Sequence, residues 1–316
     1  MKKQKKIGDI DYDISVIGFG CAAIGGYDYG FVEKNNSIKA VKQAWELGIN
    51  FFDLSDIYGF GNAEIIIATS LEKKCKDAII CSKFGLRKNN SGKVVRDCSL
   101  SWIDKALHDS LRRLNIEQIP FYLMHWYDDR TPLEDIINAL KKYKTQGKIG
   151  KFGVCNLSEE QYLKFCKLGG DRILQLPFGL VNTSFGSQLK EASTLHKSFT
   201  IAYDVLGRGL LSGKYLNSSE FHGTDTRRVH EYFGSKNFKK NLKIVECLKD
   251  IGNKYRVSPA QVAIKWVMAV DFIDLTLVGC KTPEQVLSNS DVFNFNLTDT
   301  DKKSLSDLLG IKIKQL

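Results

Sequence analysis

The sequence predicts an α/β protein folded as a (β/α)8 TIM barrel. Three observations carry this. Apolar, β-rich runs recur eight times at intervals of a few tens of residues. Each run is nearly continuous rather than alternating, as strands of a parallel sheet buried on both faces are. A helical pattern follows each one, and eight βα units in series close into a barrel. No stretch rich in Pro, Gly or Ser divides the chain, so all of 1–316 is assigned to one domain. A doubly wound open sheet is the alternative, but "GFGCAAIGG" after the first run lacks the G-x-G-x-x-G spacing of that fold.

Lys5–Ser15 alternates weakly and predicts a small hairpin ahead of the barrel. The strand runs are Val16–Cys21, Ile49–Ser55, Ala78–Phe84, Phe121–Trp126, Lys151–Asn156, Ile173–Phe178, Thr200–Val205 and Leu275–Cys280. Between them, Ile38, Val41 and Trp45 mark one helical face, and Ile103, Leu107 and Leu111 another, capped by Ser99 or Ser101. Leu133, Ile136, Ile137 and Leu140 repeat the pattern up to a stop at Gly147. Ser258-Pro259 opens a further helix, with proline in its first turn. The segment after Leu297 reads as a final helix.

The formal net charge of +10 raises nucleic acid or an anionic membrane as partners. The cations are dispersed, however, with dense runs only at Lys2–Lys6, Lys141–Lys151 and Lys239–Lys243. No zinc-finger spacing, basic zipper or aromatic-interleaved basic strand accompanies them, so neither partner is expected. None of the eight cysteines forms a C-x-x-C pair, and several lie in apolar runs, as reduced buried thiols do. The lysines of the N-terminus precede no apolar h-region, and no apolar run is long enough to span a bilayer. A cytoplasmic location is expected; the oligomeric state is left open.

Strands of a parallel barrel share one direction, and their C-terminal ends share one face. The polar residues at those ends are Asp53, Lys83, His125, Asn156, Gln175, Tyr203, Asp204 and Lys281, beside Gly279. Tyr58 follows Asp53 in the turn "DLSDIYGFG". A free tyrosine titrates near 10, and an adjacent ammonium lowers that value. Asp53 would hold Lys83 charged, and His125 would orient a carbonyl. The group suits protonation of an oxygen that becomes alkoxide-like, as in hydride addition to a carbonyl. Asn156 and Gln175 would then hold a nicotinamide carboxamide, with Tyr203 stacking on the ring. A metal site built from Asp53, Asp56 and His125 is disfavoured, because Lys83 would repel the ion; no metal is expected.

The segments "GINFFDLSDIYGFGNAE", "CSKFG", "SLRRLNIEQIPFYLMHW", "QGKIGKFGVCNLS", "AYDVLGRGLLSGKY" and "LVGCKTPEQVLSN" occur in the order and spacing of one family. Over essentially its whole length the chain resembles an aldo-keto reductase of the longer, bacterial type. The resemblance implies Tyr58 as general acid, supported by Asp53, Lys83 and His125. It implies NADP(H) held in an extended form at the mouth, with Gly20, Cys21, Asp53, Cys155, Asn156 and Gln175 near the nicotinamide and Tyr203 beneath it. The backbone of Asp204, Val205, Leu206, Gly207, Arg208 and Gly209, with Lys214, would cover the pyrophosphate. Gly279, Lys281, Gln285 and Asn289, with Arg227, would hold the adenosine end. Cys155, Val205, Ser288 and Tyr127 depart from the serine, proline, glutamate and proline usual at their positions.

The expected activity is NADPH-dependent reduction of an aldehyde or ketone to an alcohol. Tyr29, Tyr58, His125 and Trp126 are the expected substrate contacts. Tyr27, Phe31, Arg87, Lys88, Arg96 and Asp128 in the surrounding loops point to a polar or anionic carbonyl compound such as a sugar derivative. The rival reading is an NADP-binding sensor or regulatory partner. The β subunits of voltage-gated potassium channels resemble the same family, and the tetrad is intact in both readings.

Overall fold

The structure, a computed structural model, describes residues 4–7, 10–27, 29–215, 221, 223 and 225–310. Gly8 and Asp9 of the N-terminal hairpin, Lys2 and Lys3 of the first basic run, Asp28, Thr224 and residues 311–316 lie outside them. Strands β1 (Gln4–Ile7) and β2 (Ile10–Ser15) pair antiparallel. The apolar runs become β3 (Ile17–Gly20), β4 (Phe51–Asp53) and β5 (Ile79–Phe84). A short hairpin, β6 (Leu86–Lys88) and β7 (Val94–Arg96), follows β5. Then come β8 (Ile119–Met124), β9 (Ile149–Cys155), β10 (Ile173–Pro177), β11 (Phe199–Tyr203) and β12 (Leu275–Gly279). The order β10-β11-β12-β3-β4-β5-β8-β9 closes on itself, and every neighbouring pair is parallel.

The crossover helices are α1 (Lys34–Glu46), α2 (Asn62–Leu71), α3 (Leu100–Leu114), α4 (Leu133–Thr145), α5 (Glu159–Lys167) and α6 (Gly186–Thr194). After β11 come α7 (Ser235–Tyr255) and α8 (Pro259–Met268), and after β12 come α9 (Pro283–Ser290) and α10 (Asp299–Leu309). Ser99 caps α3 by accepting from Trp102 N, and Ser258 forms a full capping box with Gln261. The basic run at Lys239–Lys243 is the outer face of α7: its lysines are exposed, while Phe238, Ile244, Val245, Leu248 and Ile251 are buried. Two structural differences from the sequence reading stand out. The loop after β5 is a hairpin, and the basic run at Lys239–Lys243 is the solvated face of a 21-residue helix that the sequence reading did not delimit.

Strand parity decides what enters the barrel. Phe51, Ile79, Cys81, Phe121, Leu123, Cys155, Ile173, Phe199, Ile201, Leu275 and Leu277 fill the interior. Their neighbours Phe52, Ile80, Tyr122, Val154, Leu174, Ala202 and Val278 face the helices. The same parity carries Asp53, Lys83, His125, Gln175 and Tyr203 to the interior side, one layer above the apolar filling. It turns Cys21, in phase with Phe19, toward the helical layer. Below, Ile14 and Tyr12 of β2 pack against the interior cluster, with Tyr12 5.6 Å from Phe121, and close the N-terminal pole.

Candidate active site

The opposite pole opens into a cleft of about 460 Å³. At its floor, Asp53 Oδ1 accepts from Lys83 Nζ at 2.7 Å and from Gln175 Nε2 at 2.8 Å. Lys83 is fully buried and also donates to Leu54 O at 2.7 Å. Burial works against its charge, but the carboxylate of Asp53 and then Tyr58 hold the ammonium well above its ordinary range. The ammonium stands 5.2 Å from the centre of the Tyr58 ring.

Tyr58 opens a tight turn, Tyr58–Gly61, whose Gly59 and Phe60 are left-handed. A Cβ on Gly59 would sit 2.1 Å from Gly25 O, and one on Gly25 would sit 2.8 Å from Gly59 N. Glycine at both positions lets the loops after β3 and β4 meet backbone to backbone, and this seats the phenol. The sequence reading expected Lys83 to lower the phenol's pKa. In the structure the net direction is upward: burial raises it most, Lys83 lowers it, and Asp53 raises it again. Tyr58 is therefore a neutral phenol at neutral pH.

His125 follows β8 and extends its ladder through its backbone N–H to Phe84 O at 2.8 Å. Its ring meets that of Tyr58 edge-on at 5.8 Å. Its Nδ1 lies 3.2 Å from Ser55 Oγ. Burial and then Lys83 push its pKa well below the usual imidazole value, so the ring is neutral. Asn156 adopts φ 58°, which turns its side chain to donate to His125 O at 3.0 Å and accept from Tyr203 OH at 2.7 Å. Cys155 donates to Gln175 Oε1 at 3.2 Å and is wholly buried in the barrel.

The cleft extends from this floor toward α8 and α9. Asp204 and Arg208, both with positive φ, line it together with Gly209 and Lys214. Asp204 Oδ1 accepts from Arg208 N at 2.8 Å. At the far end lie Arg227, Lys281, Gln285 and Asn289. Gln285 Oε1 accepts from Lys281 N at 2.7 Å, Asn289 donates to Cys280 Sγ at 3.2 Å, and Arg227 pairs with Asp225. Tyr29 O receives both Lys281 Nζ and Arg227 NH2. Burial first, then Arg227 and Lys214, lowers Lys281 to about 8. Arg208 Nε is buried without a hydrogen-bond partner. A cleft with a crowded cation cluster and an unpartnered guanidinium N–H fits an extended polyanionic ligand.

Gly20, Asp53, Tyr58, His125, Asn156, Gln175, Tyr203, Val205, Leu206 and Gly279 also line the cleft. Lys83 lies beneath the floor rather than on it. Cys21, Cys155, Gly207 and Trp126 do not line it; Trp126 packs under Arg96, 4.6 Å away. The sequence reading did not anticipate Ala22, Ala23, Ser212, Tyr215 or Glu284 as lining residues. Glu284 stands one turn before Ser288 on α9, and that spacing was the available signal. Ser55, an uncharged turn residue beside His125, carries no such signal.

Barrel, buried Tyr-Lys-Asp-His group and anion-seeking cleft together define an oxidoreductase acting on carbonyl compounds. The chain belongs to the aldo/keto reductase family, whose model matches residues 16–309. It is 29% identical over 309 residues to the aldo-keto reductase yakc [NADP(+)] of Schizosaccharomyces pombe, covering 96% of this chain and 90% of that one. It is 25% identical over 321 residues to the NADH-specific methylglyoxal reductase of Escherichia coli, covering 97% and 98%. The structure of the glycerol dehydrogenase AKR11B4 from Gluconobacter oxydans superposes with a TM-score of 0.87 at 33% identity, covering 97% of this chain and 95% of that one. Among the described residues, no helix is long and apolar enough to cross a membrane.

Proposed function

We propose that this protein reduces an aldehyde or ketone with NADPH, and that Tyr58 donates the proton. The observation that carries the reading is the buried ammonium of Lys83, held by Asp53 and placed beside a neutral phenol at the floor of the cleft. Bound NADPH supplies a hydride to the carbonyl carbon. Tyr58 gives its proton to the carbonyl oxygen as that oxygen gains charge, and Lys83 stabilises the phenolate left behind. His125 orients the carbonyl. Asn156 and Gln175 would hold the carboxamide, with Tyr203 beside it. Arg208 and Lys214 suit the pyrophosphate, and Lys281 with Arg227 suits a 2′-phosphate.

The hairpin β6–β7 supports a polar or anionic substrate. It brings Lys88 Nζ to 3.4 Å from the centre of the Phe60 ring, two residues after Tyr58, and Arg96 over Trp126, which follows His125. Eight cysteines, all free, support a reducing, cytoplasmic location. The eight strands of one closed barrel support reading 1–316 as one domain.

The test is NADPH oxidation against a panel of aldehydes and ketones, comparing wild type with Tyr58→Phe. The variant should bind NADPH normally and lose roughly 10²–10⁴ in turnover. Wild-type rates in Tyr58→Phe would reject the assignment. Tight NADPH binding with negligible turnover on every carbonyl would favour the sensor reading instead.

A further inference from the structure

His125 is neutral, so its ring carries one proton, and only one of its two nitrogens can donate. Nδ1 faces Ser55 Oγ at 3.2 Å, which leaves Nε2 as the nitrogen to meet a carbonyl. Ser55 Oγ also lies 3.1 Å from Asp56 Oδ1, and it accepts from Ile57 N at 3.4 Å. We propose that Ser55 and Asp56 form a proton chain behind His125, which makes its Nε2 a hydrogen-bond donor to substrate only while Asp56 is protonated. This deepens the reading of His125 as the carbonyl-orienting group and rests on that reading for its catalytic consequence.

The hydrogen count allows two arrangements on the same heavy atoms. With Asp56 ionised, the Ser55 hydroxyl donates to the carboxylate. Ser55 Oγ then accepts from Ile57 N–H and from His125 Nδ1–H, and Nε2 is a bare acceptor. It would face the carbonyl oxygen lone pair to lone pair. With Asp56 protonated, its O–H donates to Ser55 Oγ, Ser55 donates to Nδ1, and the ring proton sits on Nε2. Every donor has an acceptor in both states, and they differ by one proton.

The surroundings favour the protonated state near neutrality. Part of Asp56 reaches solvent, but its carboxyl is densely surrounded, and burial raises its pKa to about 8. Glu64 of α2 adds to the rise, while Ser55, Arg113 of α3 and the Ile57 N–H oppose it. Arg113 is drawn to Glu64, donating to its Oε2 at 2.6 Å, while Ser82 donates to Oε1 at 2.7 Å. Tyr122 of β8, whose buried hydroxyl has no hydrogen-bond partner, also interacts with Asp56. On the far side of Ser55, His125 faces Lys83 and Tyr58.

The test uses the full chain labelled with ¹⁵N-histidine. Two-bond ¹H–¹⁵N spectra from pH 6 to 10 report the tautomer, and His125→Gln identifies the signal among the five histidines. Wild type should carry the proton on Nε2 at pH 6.5 and on Nδ1 above pH 9. In Asp56→Asn and in Ser55→Ala the tautomer should not change with pH. At saturating NADPH, wild-type kcat/KM for a carbonyl should fall about tenfold per pH unit above the midpoint, and both variants should lack that limb. A wild-type tautomer constant from pH 6 to 10, or a titration that persists in Asp56→Asn, would overturn the chain. A tautomer that switches with no matching kinetic limb would leave the chain standing and remove His125 from carbonyl orientation.

Discussion

Lys83 carries a charge where its side chain has no contact with water, and Asp53 opposite it is nearly as enclosed. Neither charge is tolerable alone: removing one partner of a buried pair typically costs about 3–5 kcal/mol. Gln175 adds a second donor to Asp53 from across the barrel, 122 residues away in sequence. The pair and Tyr58 should therefore act as one unit. Lys83→Met should lose most of the rate and much stability, because it strands Asp53. Asp53→Asn should lose less of the rate, although it strands Lys83 in turn. The double variant should be little slower than Lys83→Met and more stable than it. Turnover and denaturant unfolding of all four proteins complete the cycle, and strictly additive effects would show that the residues act separately. The residue types at this floor were legible, because charged groups interrupt apolar runs at strand ends. The partners of Ser55 were not: a hydroxyl in a turn gives no sequence signal of a contact with an imidazole 70 residues on.

At the scale of elements, the loop after β3 and the segment between β12 and α9 meet at one end of the cleft. Tyr29 O is the acceptor there for Lys281 and Arg227. A 2′-phosphate would replace a weak neutral acceptor with a charged one. The sign of the pH effect follows. Lys281 is lowered to about 8 by burial, Arg227 and Lys214, and a bound phosphate would raise it, so binding takes up a proton. NADPH affinity should be full below pH 7 and fall as pH rises through 8, by about tenfold between pH 7 and 9. NADH affinity should stay flat over that range, and Lys281→Ala should flatten the NADPH curve. Fluorescence titrations at low salt measure this, and parallel curves for the two cofactors would reject the role of Lys281. Parity explains how much of this layer could be read in advance. A strand's period of two fixes Asp53, Lys83, His125, Gln175 and Tyr203 on one side, and it equally turns Cys21 away. The β6–β7 hairpin was hidden because its strands are three residues each; at α7 the solvated lysines were legible, but not the apolar stripe behind them.

The whole molecule has two poles with different tasks. The C-terminal pole carries the polar floor, the left-handed loop residues and the cation cluster. The N-terminal pole is closed by the β1–β2 hairpin, which contributes Ile14 to the interior cluster beneath Phe51 and Phe121. Between the poles lies the apolar filling, with Phe51 and Phe121 5.5 Å apart and Phe121 and Phe199 6.0 Å apart. This filling separates the hairpin from the chemistry, so the two poles should be separable by mutation. Ile14 is 1% exposed, and Ile14→Ala removes buried methyl groups where the rigid barrel wall cannot collapse to fill the gap. The expected loss is about 2–5 kcal/mol of stability. Turnover and NADPH affinity of the folded fraction should stay near wild type, because the apolar filling lies between the plug and the polar floor. Tyr58→Phe should behave oppositely, with stability kept and turnover lost. Urea unfolding and steady-state kinetics on the two variants decide the matter. If Ile14→Ala also altered kcat at a temperature where the protein is fully folded, the filling would be transmitting the plug's position to the floor, and the two poles would be mechanically coupled.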